Sequence, residues 1–350
     1  MKQANHKHEV TVVIPTKDRY YTTLPMAIMS VAQQTYKPKK IFIFDDGEQK
    51  DLRKDPVYSN IFALLQLKEI ELEVIFGKRR GQAFSHQMSI ELSKTDWIYR
   101  VDDDDVLESQ SLEYLISNIK ENVGAVGGLI LSPTDVRPLS PFASNKIEHI
   151  YYRPNIQWFA FNGIKEVDHL NNSFLYSREV AQKIGGYNLN LSPVGHREET
   201  LFSYSIKRAG YNVLVDPRSI TWHMRDPKGG IRSYENQFLW EHDERIFASK
   251  LQEWKIESKK HKIVVLDCGL GDHYAFKAML PELKDKYKNY DLILSVCYPE
   301  VFEDEKDIEL ISISDAKNVG IDMDSHNIYR FMIDKDWKKS LTDAYREMLL

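Results

Sequence analysis

The chain has 350 residues, which at roughly 100 to 200 residues per domain predicts about two domains and excludes a single mini-domain. An apolar fraction of 42% beside 28% charged residues is ordinary for a globular protein, and Gly 16 with Pro 13 excludes collagen-like or low-complexity architecture. Lysine plus arginine number 47 against 52 acids, so the formal charge of -5 provides no overall positive field for nucleic acid.

The first ordered signal is the β-branched run VTVVIPT at 10–16, read as a buried strand that stops at Pro15 and opens into Lys17, Asp18 and Arg19. A helix follows over roughly 21–34, then the strand KKIFIFDDG at 39–47, which ends in Asp45, Asp46 and a glycine. LEVIFG at 72–77 and DWIYRVDDDD at 96–105 add two strands around a helical segment at 81–94. Crossover helices let consecutive parallel strands bury both sheet faces, so this order predicts an α/β domain with a mostly parallel central sheet. Both acidic runs then leave the sheet at carboxyl strand ends, where ligands of open α/β sheets bind. Turn solvation accounts equally well for Asp45 and Asp46 alone.

A helix over 108–120 and the strand VGAVGGLIL at 123–131 come next, followed by an aromatic, Pro-bearing stretch at 139–165 with no dominant period. Trp158 and Phe159 in that stretch are candidates either for an apolar acceptor surface or for ordinary packing. VDHLNNSFLYS leads into a helix start at 177–184, and SPVGHREETLFSYSIKRAG into an amphipathic helix. The charged segment that follows reads as helical, which divides the chain into a domain at 1–240, a connector at 241–261 and a second domain at 262–350. That second domain restarts a strand-to-glycine-turn pattern in KIVVLDCGLGD, continues through a helix to about 286 and the strand DLILSVCY, and ends in a helix. It predicts a smaller Rossmann-like α/β domain.

Asp102, Asp103, Asp104 and Asp105 are the sharpest local signal, because four adjacent carboxylates at an apolar strand end cannot all be buried unpaired. Hard magnesium or manganese suits such oxygen ligands, and a metal-bound diphosphate suits a site that stabilises a leaving nucleotide; an acidic surface loop is the alternative. His196, Arg197, Glu198 and Glu199 form a second dense segment, in which one acid could take a proton from an acceptor hydroxyl or merely stabilise a helix N-terminus. His223, after NVLVDPRSITW, is a candidate ligand for a cation shared with Asp104. Arg225, Lys228 and Arg232, spaced by Gly229 and Gly230, read either as a basic lid over a diphosphate or as a solvated loop.

Two isolated cysteines, Cys268 and Cys297, make neither a disulfide framework nor a soft-metal site, and they fit a reducing compartment. No run reaches the roughly 20 apolar residues that span a bilayer, and the polar opening lacks the apolar part of a secretory signal. A cytoplasmic protein without a transmembrane segment is expected, with peripheral contact at the inner face of the membrane left open.

The opening VVIPTKDR, the strand end FIFDDG, RRGQAFSHQMSIELSKTDWIYRVDDDD and GHREETLFSYSIKRAG together resemble the inverting glycosyltransferases of family 2, over about residues 9–225. The resemblance implies the nucleotide-sugar-binding GT-A fold, a nucleoside-diphosphate-sugar donor and Mn2+ or Mg2+. It implies base or ribose contacts by Thr16, Asp18, Arg19 and Asp46, and places Arg80 and Asp103 among the donor contacts. Asp102 would meet the donor ribose or sugar, and Asp104 the diphosphate-bound metal together with His223. The family's Glu-Asp pair stands here as Glu198-Glu199, so Glu199 is the implied general base and Glu198 the fallback. The loop carrying Arg225, Lys228 and Arg232 is then the family's variable lid.

KIVVLDCGLGDHYAFKAMLPEL is more weakly similar to the domain that opens heptosyltransferase-like GT-B enzymes, with Gly269, Gly271 and Asp272 either in a phosphate-facing or acceptor-facing turn or in a purely structural one. The remaining chain is too short for two nucleotide-fold domains, so this part is expected to be accessory or truncated. The implied reaction is inverting transfer of a sugar to a hydroxyl of a glycan, teichoic-acid-like or other glycoconjugate acceptor. Self-assembly or partner binding through the C-terminal domain is a further expectation, and nucleic acid is not an expected partner. A nucleotidyltransferase and a non-catalytic nucleotide-sugar-binding or scaffold module are the alternatives.

Overall fold

A computed structural model describes residues 8–230, 237–318, 321–323 and 326–350. The chain divides into two compact units, the first running through Leu139 and taking in Asn145–Ile147 and Asn155–Ile256, the second comprising Ser140–Ser144, Glu148–Pro154 and Glu257–Leu350.

The first unit begins with β1 (Val10–Thr16), α1 (Leu24–Ala32), β2 (Lys40–Asp45), α2 (Pro56–Leu67), β3 (Glu71–Phe76), α3 (Gln82–Leu92) and β4 (Trp97–Arg100). Their strands pair in parallel in the order β3-β2-β1-β4. Almost every residue of β1 and β2 is buried, as a strand covered on both faces requires, and Val12, Ile14, Ile41 and Ile43 share one core with Leu24 and Ile28 of α1. Asp55 fixes the start of α2 by accepting from the Val57 and Tyr58 amides.

The unit continues through β5 (Asp105–Leu107), α4 (Ser111–Ser117), β6 (Val123–Leu131), β7 (Lys165–Val167), β8 (Phe174–Ser177), α5 (Arg178–Lys183), α6 (Glu198–Arg208), β9 (Asn212–His223) and α7 (Gln237–Glu253). Strand β8 enters antiparallel between β4 and β6, β9 lies parallel to β6, and β5 and β7 pair antiparallel with β9 in a nine-stranded sheet. The expected α/β architecture is therefore present. The single strand predicted at 96–105 is two elements: β4 stops at Arg100, and the chain turns through the carboxylates before β5 starts at Asp105, opposite His223. Adjacent aspartates are poor strand formers, and a continuous ladder would have buried them on both faces without donors.

The second unit is built on β10 (Lys260–Leu266), β11 (Tyr290–Val296) and β12 (Glu309–Ser312), all parallel in chain order. Around them lie α8 (Leu270–Lys277), α9 (Leu280–Lys286), α10 (Ile313–Asn318), α11 (Ile328–Asp334) and α12 (Leu341–Leu349). Val264, Leu294, Phe276, Phe302 and Tyr345 share its core. The helix predicted to run to about 286 is broken between α8 and α9, where Pro281 opens a new first turn.

Part of the aperiodic stretch 139–165 belongs to this second unit, which is why no single period fits it. Phe142 packs with Val265 and Ile293, while Arg153 pairs with Asp291 at 3.2 Å and Glu309 at 3.0 Å. The turn before α8 is closed on itself: an Asp272 oxygen accepts from the Gly269 amide at 2.8 Å and the other from the Tyr329 hydroxyl at 2.7 Å. A phosphate approaching Gly269 would meet this carboxylate, so the geometry favours a structural role for the turn over the phosphate-facing one.

The closest backbone approach in the first sheet is at Gly128 of β6, where a Cβ would lie 2.3 Å from the Ser219 carbonyl oxygen. Gly128→Ala is expected to destabilise the protein by about 1–3 kcal/mol through overpacking against backbone. A lower midpoint of urea unfolding at unchanged slope would show it, and an unchanged midpoint would contradict the close approach.

Candidate active site

An open crevice of about 310 Å³ lies at the carboxyl ends of β1, β2 and β4. Thr16, Lys17 and Arg19 come from the end of β1, Asp46 from beyond β2, and Gly81 with Gln82 from the start of α3. Asp102, Asp103 and Asp104 arrive from β4, His223 ends β9, and Arg225 and Asp226 follow it. Residues more than two hundred positions apart in the chain thus converge where a twisted parallel sheet opens.

The four aspartates are distinguished by their partners. Asp103 accepts from the Thr16 hydroxyl at 2.7 Å and from the Arg19 guanidinium at 2.6 Å, so each of its oxygens has a donor. Burial nonetheless raises it to about 6, against the opposing charge of Arg19. Asp102 accepts from Gln82 at 2.7 Å, and its amide donates to the Ser173 hydroxyl at 3.3 Å. Asp105 is fully buried, accepting from the Ser173 hydroxyl at 2.6 Å on one oxygen and facing His223 Nδ1 at 2.8 Å with the other. Asp104 lies 3.2 Å from Arg19 and 3.8 Å from His223 Nδ1.

Asp104, Asp105 and His223 each bring a ligand atom within 4.8 Å of the others, a donor set of oxygens and an imidazole that suits Mn2+ or Mg2+. Both Asp105 oxygens are already hydrogen-bonded, one of them to His223 Nδ1, so Asp105 is placed to orient the imidazole. Burial works against the charged imidazole, but the hydrogen bond and charge of Asp105, with Asp104 and Asp102 nearby, outweigh it and raise His223 to about 9.

On the opposite wall, Asp46 accepts from the amides of Arg79 at 3.0 Å and Gly81 at 2.8 Å. Gly77 lies so close behind it that a Cβ there would be 1.8 Å from an Asp46 oxygen. Asp18, in the left-handed region at φ 60, accepts from the Glu48 amide at 2.8 Å and borders an adjoining depression with Asp46 and Arg79. Arg80 departs from expectation: it is exposed, its guanidinium stands 4.3 Å over the Phe84 ring, and it does not line the crevice. Neighbouring Arg79 turns toward the Asp46 loop instead, its side chain donating to the Gly47 carbonyl at 3.2 Å.

The loop after His223 is docked on Arg19. The Arg19 guanidinium donates to the carbonyls of Lys228 at 3.1 Å and Asp226 at 3.0 Å, and the Gly230 amide donates to the Lys17 carbonyl at 2.8 Å. Arg225 lines the crevice, whereas Lys228 contributes its backbone to this docking and carries an exposed side chain. Arg232 lies outside the described residues.

Glu198 and Glu199 open α6 and do not line the crevice themselves. Glu198 receives two hydrogen bonds from Arg100, at 2.7 and 2.8 Å, and both side chains are fully buried. Burial raises Glu198 above the ordinary carboxylate range and the Arg100 charge opposes that rise; the forked geometry suits the ionised pair. Glu199 is 5% exposed, with one oxygen 3.9 Å from Arg100. The loop before α6 is pinned by buried Asp243 of α7, which accepts from the amides of Ser192 at 2.6 Å and His196 at 2.8 Å. Sequence reading missed both Arg100 and Asp243; the signal for Arg100 is a lone cation in the apolar run WIYRV.

The aromatic pair divides. Trp158 is 40% exposed, but Phe159 is buried at 5% beneath Arg137 and is unsuited to the acceptor surface expected of it. Among the described residues, no helix is long and apolar enough to cross a membrane.

A strand-end crevice lined by acids, beside a candidate group of carboxylates and an imidazole for a cation, marks this unit as a GT-A-like domain. Residues 11–185, half of the 350-residue chain, match the family described as Glycosyl transferase family 2, and the chain belongs to that family. It is 24% identical over 295 residues to a glucosyl-dolichyl phosphate glucuronosyltransferase of Haloferax volcanii, covering 80% of this chain and 86% of the relative. GalNAc-T7, solved with UDP, GalNAc and Mn2+, shares the fold at a TM-score of 0.53 and 14% identity, over 81% of this chain and 55% of that one. A mannosyltransferase from Pyrobaculum calidifontis, solved with GDP-Man and Mn2+, aligns at a TM-score of 0.48 and 14% identity, over 71% of this chain and 65% of that one. This chain thus spans less than two thirds of the length of either solved chain.

The His223 pKa of about 9 has a stability consequence in metal-free protein. A raised histidine contributes its full stabilisation below its unfolded pKa of about 6.5 and loses it as pH climbs through the folded value. Burial raises Asp105 as well, against the hydrogen bond and charge of His223. In EDTA, the melting temperature of the wild type should fall more between pH 6.5 and 9 than that of His223→Gln; parallel profiles would contradict the pairing.

Proposed function

We propose that this protein transfers a sugar from a nucleoside-diphosphate sugar to a hydroxyl of a glycan or glycoconjugate acceptor, with a divalent cation and with inversion at the anomeric carbon. The observation that carries the reading is the convergence of Asp46, Asp102, Asp104 and His223 on one strand-end crevice in a family 2 chain. Thr16, Asp18, Arg19 and Asp46 form the nucleotide side, and Asp102 faces the ribose or sugar. Asp104 and His223 hold Mn2+ or Mg2+, which when bound offsets charge on the diphosphate. Arg225 and the docked loop cover the donor, with Lys17 and Arg19 adding positive charge along that wall.

Glu199 receives the proton of the attacking hydroxyl, because both oxygens of Glu198 are committed to Arg100. Direct displacement with a base on the acceptor side gives the opposite anomeric configuration and needs no covalent intermediate. The Haloferax volcanii relative is named for glucuronosyl transfer with glucosyl-dolichyl phosphate, which supports a glycoconjugate acceptor here over a free monosaccharide. Functionally we assign the catalytic role to the first unit, which includes α7, and an accessory role of the nucleotide-fold type to the second.

A panel of UDP-, GDP- and dTDP-sugars with and without Mn2+ or Mg2+ tests the reaction. Release of nucleoside diphosphate that requires the cation is expected; release of pyrophosphate would point to nucleotidyl transfer, and donor binding without turnover to a scaffold. Glu199→Gln should lower kcat by about 10²–10⁴-fold, the usual contribution of a general base, with donor affinity retained. Asp104→Asn should weaken Mn2+ binding by about tenfold or more in calorimetry, and unchanged affinity would remove Asp104 from the cation site.

A further inference from the structure

Arg100 ends β4 opposite Phe174 of β8 and is fully buried. A guanidinium there needs a counter-charge, and Glu198 supplies it through two hydrogen bonds. That pair is already neutral. Yet the same guanidinium nitrogen that bonds Glu198 also lies 3.6 Å from Asp102 and 3.9 Å from Glu199. One buried cation thus has three carboxylates about it, although one suffices as its counter-charge.

The guanidinium has no freedom to choose among them. Its other terminal nitrogen bonds Glu198 and meets the Tyr187 hydroxyl at 3.2 Å, and its central carbon lies 5.1 Å from the centre of the Phe174 ring. Arg100 is therefore a fixed positive point between Asp102, which lines the crevice, and Glu199, which does not. Asp102 has an independent support in Gln82 at 2.7 Å.

We propose that Arg100 is a positioning residue for the transfer reaction, aimed by Glu198 and acting on Glu199, whose carboxylate it holds in register with the donor-side acid Asp102. Glu198 is then the counter-ion of the positioning cation, which gives a physical reason why the second acid of the pair serves as base. The inference rests on Glu199 as base in the proposed reaction.

The test is steady-state kinetics of nucleoside diphosphate release, on the nucleotide sugar that the donor panel selects, with melting temperatures measured alongside. Arg100→Lys keeps the charge but cannot reproduce the fork to Glu198. It should lower kcat at least about tenfold while the donor KM, supported through Gln82, stays within about threefold. The double variant Arg100→Met with Glu198→Met replaces a buried ion pair by apolar side chains of similar length, a change that often preserves or improves stability. Its melting temperature should return to near the wild-type value while kcat stays at least about tenfold low.

Recovery of kcat together with stability in the double variant, or a wild-type kcat in Arg100→Lys, would reduce the pair to a structural role and overturn the proposal. If the double variant does not fold, Arg100→Lys decides. Glu199→Gln is run in parallel: its inactivity combined with normal kcat in the Arg100 variants defeats only the positioning role, whereas full activity of Glu199→Gln removes the base assignment itself.

Discussion

Charge compensation of buried carboxylates is the constraint on which the first unit depends. The side chains of Asp102, Asp103, Asp104 and Asp105 are only 13%, 8%, 7% and 0% exposed. Each is held by groups from a different part of the chain: Gln82 from α3, Thr16 and Arg19 from the end of β1, Ser173 before β8 and His223 from β9. A chain that failed to bring β1, β4 and β9 to their present places would strand several ionised groups in a low-dielectric interior. The strand order and the site are consequently one requirement, and the register that opposes Asp105 to His223 is part of it.

The compensation is uneven, and the unevenness has chemical content. Asp103 and Asp105 are satisfied by donors on both oxygens, so they behave as frame. Asp102 and Asp104 keep fewer ties and border the crevice, where a ligand or cation would complete them. Arg19 connects the two functions, since it neutralises Asp103 and simultaneously supports the backbone of the loop at Asp226 and Lys228.

Much of this was legible because it is local. Uninterrupted apolar runs such as VTVVI and IFIF could only be buried strands, and acids at their ends could only emerge where a sheet opens. What escaped was decided by distant partners. The aspartates weaken the strand at 96–105, but where it stops is set with donors that lie before β8 and on β9. Choosing Arg79 over Arg80 depends on an amide that must reach Asp46, and burying Phe159 depends on Arg137 closing over it. Asp243 looks like an ordinary charged residue in the sequence, and the lone cation in WIYRV does not name its partner, because a buried ion is explained only by the groups that surround it. The stretch 139–165 resisted reading because its residues serve two units.

The central claim is that an acceptor hydroxyl displaces a nucleoside diphosphate directly, with the base supplied by the α6 acids and the donor held by the β1, β2 and β4 strand ends. Its most direct measurement is the anomeric configuration of the product, read by proton NMR of the first turnovers on a donor of defined configuration with Mn2+ present. Inversion of the transferred sugar is the predicted result. A product that retains the donor's configuration would contradict it, because a single displacement from the face opposite the leaving diphosphate inverts the anomeric carbon.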